Sequence, residues 1–253
     1  MKTLAEFFRK KLTDPRANLW KWLYLVFKVF FSKPFKVYYS QFGEDIVLKQ
    51  ILKREIKNGF YVDVGCFHPI KFSNTLRLYL RGWRGINVDA DPLKVQAFSL
   101  VRPGDINIAA AVSDEKGVAR LYGFGLYQEG STLDEATAQK SGPRIQTVRE
   151  VQTQTLTEII GQTKYAGRQI DVLSVDVEGH DLNVLKSLDF EIYSPKVIIV
   201  ESHYRNFEQI SRSEMYQFIS GKGYYFVSWV LFSMFFVLPH TDILRPGIPV
   251  DSD

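Results

Sequence analysis

Apolar residues in this chain fall into short dense runs separated by helix-length segments of mixed polarity. The runs at 59–64, 85–90, 106–112, 170–177 and 196–201 are rich in β-branched residues, as strands covered on both faces require. Between them the apolar spacing turns helical. Ile46, Val47, Ile51 and Leu52 predict a helix capped near Ser40, and Leu76, Leu78, Tyr79 and Leu80 predict one running from Ser73-Asn74 to Gly82. Further helices open at Pro92, span 156–160 and run through Leu182, Val184, Leu185 and Leu188. Strand and helix in strict alternation predict a doubly wound α/β domain. The last apolar stretch, 224–238, is too short for a membrane span and holds Ser228 and Ser233. It reads as two closing strands joined by a tight reversal. The alternation breaks at 121–146, where Gly123, Gly125, Gly130, Gly142 and Pro143 predict a long irregular segment, either a substrate lid or a mobile loop. A polar strand near 147–153 follows it.

Charge separates an N-terminal arm from this domain. Residues 1–38 carry nine Lys/Arg against two Asp/Glu, a net +7, which leaves −3 of the chain's +4 for the rest. The domain therefore lacks the broad basic surface of a nucleic-acid binder, and no nucleic-acid partner is expected. We divide the chain into an arm, 1–37, and a domain, 38–253. The arm's 19–31 stretch is aromatic, apolar and interrupted by Lys21 and Lys28, which share one helical face. It is too short to span a bilayer and has no small-residue cleavage site after it, so a signal peptide fits poorly. Residues 19–36 suit peripheral contact with an anionic membrane, the alternative being packing against the domain or a dimer partner. The single cysteine, Cys66, excludes an intramolecular disulfide and a Cys-based zinc cluster, and reads as a buried thiol. A cytoplasmic protein is expected, with contact at the inner membrane face as one of the two readings of the arm.

In an open α/β sheet, ligands sit over the carboxyl ends of the strands. Those ends supply Asp63 and Gly65, Asp89, Ser113 and Asp114, then Asp176, Glu178 and His180, and finally Glu201 and His203. An acid two residues before a single glycine, with a second acid 24 positions after it, departs from the G-x-G-x-x-G of nicotinamide binding. It fits S-adenosylmethionine better, with Asp89 accepting the ribose hydroxyls and Asp91 able to share that role. Asn74 and Thr75 open a helix whose N-terminus would attract the cofactor carboxylate. Asp63, Gly65, Asn74, Asp89 and Ser113 are thus the candidate cofactor residues, and His68 reads as a structural loop residue. Asp176, Glu178 and His180 are the candidate catalytic group: one removes a hydroxyl proton, and the sequence leaves open which. The same carboxylates suit a divalent metal, but no spacing singles one out, so no metal ligand is assigned.

Taken together, Gly59–Gly65, Ser73-Asn74-Thr75, 82–89, 174–179 and 195–201, with the entry stretch Ser40–Asp45, resemble the FkbM family of S-adenosylmethionine-dependent methyltransferases. The resemblance covers about 38–238. It implies a class I methyltransferase fold, strand order 3-2-1-4-5-7-6 with strand 7 antiparallel, and O-methylation, often in glycan or polysaccharide assembly. Cys66-Phe67-His68-Pro69 departs from the small-residue loop usual in the family. The expected function is methyl transfer to a sugar hydroxyl of a glycan or glycolipid precursor. The rivals are a non-catalytic cofactor-binding scaffold and an O-methyltransferase for a small metabolite. Oligomeric state is not legible from the sequence.

Overall fold

The computed structural model describes residues 6, 18–31, 37–53, 56–125 and 130–244. Contacts divide the chain into Met1–Tyr38 and Tyr39–Asp253. The first unit contributes α1 (Asn18–Phe31). The first half of the second unit runs α2 (Glu44–Ile51), β1 (Phe60–Val64), α3 (Leu76–Leu80), β2 (Arg84–Asp89), α4 (Pro92–Val101), β3 (Ile106–Ala109), β4 (Ala111–Val112), β5 (Gly117–Gly123), α5 (Glu135–Ser141), β6 (Thr147–Gln154) and α6 (Leu156–Gly161). The second half runs β7 (Val172–Val175), α7 (Asp181–Lys186), α8 (Phe190–Tyr193), β8 (Val197–Glu201), α9 (Phe207–Arg212), α10 (Glu214–Gly221), β9 (Tyr225–Val230) and β10 (Ser233–Val237).

β1 shows why the sheet is buried on both faces. Its five residues are all buried and alternate between two apolar clusters: Phe60, Val62 and Val64 join one, Tyr61 the other. The first cluster takes Leu156, Ile159, Val184, Leu185 and Ile219 from helices α6, α7 and α10, and the second takes Leu48, Ile51 and Leu78 from α2 and α3. The seven strands run in the order β3-β2-β1-β7-β8-β10-β9, with β10 antiparallel to both neighbours and the other pairings parallel. This is the order that the family resemblance implies. The closing pair expected at 224–238 is present as β9 and β10, whose side chains supply Met234, Phe235, Phe236 and Val237 to the two clusters.

Three expectations need correction. The run 106–112 is not one strand. The chain turns at Ala110, and β4 leaves the main sheet to pair with β6 in a second sheet, ordered β4-β6-β5. The segment 121–146 is only partly irregular. It begins in β5, contains α5 capped by the Asp134 carboxylate, and is tied back by a bridge between Tyr122 and Thr132; residues 126–129 lie outside the described ones. The expected cap of α2 is also indirect. Gly43 holds the cap position at φ 94°, and Ser40 Oγ instead accepts the Asp45 amide at 3.1 Å.

A buried polar network underlies the loop after β1. Arg102 has no solvent exposure; its guanidinium donates to the Pro69 carbonyl and to the hydroxyls of Ser73 (2.6 Å) and Thr75 (2.8 Å). An unpaired charge there would be costly, and here every contact doubles as a clamp on the loop. His68 plays the structural part expected of it, its Nδ1 accepting the amides of Ile70 and Lys71, both at 3.0 Å.

Candidate active site

A cleft of about 240 Å³ opens over the carboxyl ends of β1, β2, β7 and β8, where open α/β sheets place ligands. Gly65 begins its floor. At φ +77° it takes the left-handed region, and a Cβ there would lie 1.7 Å from the Asp176 carbonyl oxygen. The close approach of the β1 and β7 ends therefore requires glycine.

Asp89 lies at the end of β2, buried and lining the cleft. Oδ1 accepts the Asp91 amide at 2.8 Å and Oδ2 the Phe67 amide at 3.2 Å, with Lys94 Nζ 3.7 Å from Oδ2. Burial pushes its carboxyl up, against the pull of Lys94 and those amides. A carboxylate has about four lone-pair sites, so acceptor capacity remains for ligand hydroxyls. Lys94, itself buried, also lines the cleft. Sequence reasoning missed it because nothing in a helix surface position marks a lysine that folds inward. Asp91 turns out to be the cap of α4, its Oδ1 accepting the Leu93 amide at 3.0 Å.

Asn74 reaches the cleft wall and donates to Ser174 Oγ at 3.2 Å. Asp63 does not line the cleft. It sits beneath, accepting the Thr75 hydroxyl at 2.6 Å, and burial pushes its carboxyl up despite that bond and the nearby Arg102 charge. Ser113 also stands behind the wall, 3.1 Å from His180 Nε2. His180 does line the cleft, and burial lowers its pKa, favouring neutral imidazole. Cys66 is buried, and burial followed by the Asp89 charge raises its thiol pKa, which suits an inert side chain rather than a nucleophile.

Acids crowd the other end. Asp176, Glu178 and Glu201 all line the cleft. Asp176 is open to cleft water, yet the atoms packed around it strip much of its solvation. That loss of solvation, and then the charges of Glu201, Asp181 and Glu178, raise its pKa well above the carboxylate range. Burial, reinforced by Glu178 and Asp181, carries Glu201 to about 8. Both carboxyls hold protons above the usual carboxylate range, and lying together on the cleft they titrate as a pair rather than singly. Glu201 Oε2 is sealed from water and receives no hydrogen bond. Beside the pair, Glu178 takes φ +56°, a conformation costly for a side-chain-bearing residue and concentrated at functional sites. Two contacts hold it there. The Thr132 hydroxyl donates to its carbonyl at 2.8 Å, and Asp181 accepts the amides of Val177 (3.1 Å) and Gly179 (3.0 Å). Glu178, Glu201 and His203 bring one ligand atom each within 4.8 Å of one another, close enough to share a divalent cation.

The structure thus gathers Gly65, Asn74, Asp89, Asp176, Glu178 and His180 around one cleft, and sets Asp63 and Ser113 one layer back. The 121–146 segment, read as a substrate lid or a mobile loop, walls the cleft through Leu121, Gly130, Ser131 and Leu133. Gln41 and Glu44 line it too, from the entry stretch, with Glu44 accepting the Phe42 amide at 2.8 Å.

The methyltransferase FkbM domain matches residues 63–226, nearly two thirds of the chain and the whole run from β1 into β9. The chain belongs to the FkbM methyltransferase family. This FkbM-family chain has no match among curated proteins. Its fold is similar to two crystal structures. One is the methyltransferase FkbM from Methylobacillus flagellatus KT, 10% identical over 72% of this chain and 44% of that one, with a TM-score of 0.45. The other is a TehB-like SAM-dependent methyltransferase from Corynebacterium glutamicum ATCC 13032 Kitasato, 10% identical over 86% of this chain and 97% of that one, with a TM-score of 0.41. The chain spans less than half the length of the first.

Proposed function

We propose that this methyltransferase uses S-adenosylmethionine to methylate a hydroxyl, on a sugar of a glycan or glycolipid precursor. The observation that carries the reading is the polarity of the cleft. A buried carboxylate with free acceptor capacity, Asp89, stands at one end and a proton-holding acid pair, Asp176 and Glu201, at the other, with Gly65 between them on the floor. The residues present fit the cofactor. Asp89 supplies acceptors for vicinal hydroxyls, Asn74 a polar side chain, and Ala110, Ala111, Val112 and Leu121 an apolar wall for a flat base. When bound, S-adenosylmethionine supplies an electrophilic methyl group on a sulfonium sulfur.

The chain's own residues then have two tasks. The first is to hold the acceptor hydroxyl still, and positioning of this kind can supply several kcal/mol of a barrier. The second is to take its proton. Asp176 and Glu201 hold their protons more tightly than isolated carboxyls do, which brings their basicity toward that of the group they must serve; a base so placed typically gives about 10²- to 10⁴-fold. His180, neutral and held by Ser113, is the second candidate base. The two separate by pH profile. A rate rising toward pH 8 implicates the acid pair, and a rate already flat above pH 6.5 implicates His180.

The sugar reading draws on carboxylates set beside an aromatic face. Phe232 lines the cleft mouth, edge-on to Phe42 at 5.5 Å between ring centres and tilted against His203 at 5.4 Å. The test is transfer of label from methyl-labelled S-adenosylmethionine to glycans, lipid-linked sugars and small hydroxylated metabolites. Glycan labelling with Phe232→Ala raising the acceptor KM about fivefold is expected, since an aromatic contact is worth roughly 1 kcal/mol. Labelling confined to small metabolites would remove the sugar, and no labelling of any acceptor would remove the hydroxyl.

A further inference from the structure

α1 presents more exposed apolar surface than a helix in a protein core tolerates. Leu19, Trp20, Trp22, Leu23, Leu25, Phe27 and Val29 are all exposed, at 43–65% of their full areas. On a 3.6-residue helix they sweep well past half the circumference, and Lys21 and Lys28, one heptad apart, leave only a narrow charged stripe. A helix docked in a protein groove buries a stripe of about 100°. This one needs a cover that reaches most of the way round.

We infer that α1 lies embedded in the surface of an anionic lipid bilayer. Three features favour that occupant. The helix contains no acid, so a second copy would set Lys against Lys with no charge partner, whereas anionic headgroups supply the complement. Its tryptophans and Tyr24 are the residue types that settle at the membrane–water boundary, apolar body inward and polar tip in water. The lysine stems can run along the apolar flank to lift their charge to the headgroups, and Lys28 Nζ already lies 5.5 Å from the Tyr24 ring centre. At 14 residues α1 is too short to cross, and among the described residues no helix is long and apolar enough to do so. The surrounding arm, net +7, has the same sign preference. This inference is independent of the methyl-transfer reading.

The test uses the full chain with vesicles of phosphatidylcholine alone and of phosphatidylcholine mixed with phosphatidylglycerol. The protein sediments with the mixed vesicles, and Lys21→Gln/Lys28→Gln weakens partitioning about 30-fold, given about 1 kcal/mol per basic residue at such a surface. Brominated acyl chains quench tryptophan fluorescence in the native chain and much less in Trp20→Ser/Trp22→Ser, with melting temperature unchanged. Three results would overturn the inference: no binding to anionic vesicles by folded protein, a serine variant that melts markedly lower, or a stable dimer that the serine variant dissociates without any vesicle binding. The second would make α1 a core helix and the third a self-association surface.

Discussion

Alanine at Gly65 is expected to destabilise the fold by about 2–5 kcal/mol. Two costs add. A side chain at φ +77° is strained by about 1–2 kcal/mol, and the new Cβ would lie 1.7 Å from the Asp176 carbonyl oxygen, a backbone atom that no side-chain rotation can move away. Asp176 is locked in turn, its amide donating to the Val64 carbonyl at 3.0 Å, while Gly65 itself donates to Val88 at 2.8 Å. Relief therefore means separating the ends of β1 and β7, and overpacking of that kind typically adds about 1–3 kcal/mol. Gly43→Ala is the matched control: its φ is +94°, but nothing lies within 4 Å of the added Cβ, so only the strain of about 1–2 kcal/mol is expected. Urea unfolding of both variants separates conformational strain from collision. Equal losses would show that the β1 and β7 ends are not held this closely together.

Glutamine in place of Glu201 is expected to lose about 10²- to 10⁴-fold in turnover while gaining stability at neutral and alkaline pH. Both follow from one proton. Between the ordinary glutamate value of 4.5 and about 8, folded Glu201 keeps a proton that the unfolded chain has released. A folded state that binds the extra proton loses stability as pH rises through that window, by up to about 1.4 kcal/mol per pH unit. Below 4.5 both states are protonated and the difference vanishes. The substituted glutamine has no proton to lose, so Glu201→Gln falls less steeply across the window than the native chain. The native side chain is only 12% exposed, so solvent screening takes little from the effect. Parallel stability curves would mean that Glu201 has an ordinary proton affinity. Native-like turnover with an unchanged pH profile would move the base elsewhere, to His180 first.

Much of the fold is legible in the sequence, for definite reasons. β1, β2, β7 and β8 announce themselves because a parallel sheet buried on both faces needs uninterrupted apolar runs, and the acids closing those runs stand out against them. That contrast is enough to place Asp89, Asp176 and Glu201 along one sheet edge from the amino-acid order alone. β9 and β10 are readable because two serines and the length of 224–238 rule against a membrane span. The second sheet is not readable. β5 has one face in water and little on the other, with only Leu121 and Gly123 buried, so it carries almost no alternation. Its sheet-mate β4 is two residues long and hides inside what looks like a single strand. Backbone strain is equally silent. Nothing in Val177-Glu178-Gly179 reveals that Glu178 adopts positive φ, because the cause is remote: Thr132 on its carbonyl and Asp181 under its flanking amides. Asp63 and Ser113 read as ligand contacts because strand-end position marks a neighbourhood, not a surface. Which residue faces the cleft and which supports it depends on side-chain direction, and these two turn instead to Thr75 and His180.

The unusual loop Cys66-Phe67-His68-Pro69 illustrates compensation between levels. It lacks the flexible small residues expected there, and the chain instead fixes it by contacts: Arg102 on the Pro69 carbonyl, His68 on two amides, and the Phe67 amide on Asp89. The last contact makes the loop part of the site, since it helps orient the carboxylate proposed to hold the ribose.

Placement of the cofactor in this cleft is tested most directly by calorimetric titration of the purified chain with S-adenosylhomocysteine, beside Asp89→Ala. Saturable binding by the native chain is expected, with a loss of about 10²-fold in the variant, two hydrogen bonds to a charged group being worth roughly 3 kcal/mol together. Failure of the folded native chain to bind, or equal affinity in folded Asp89→Ala, would contradict that placement.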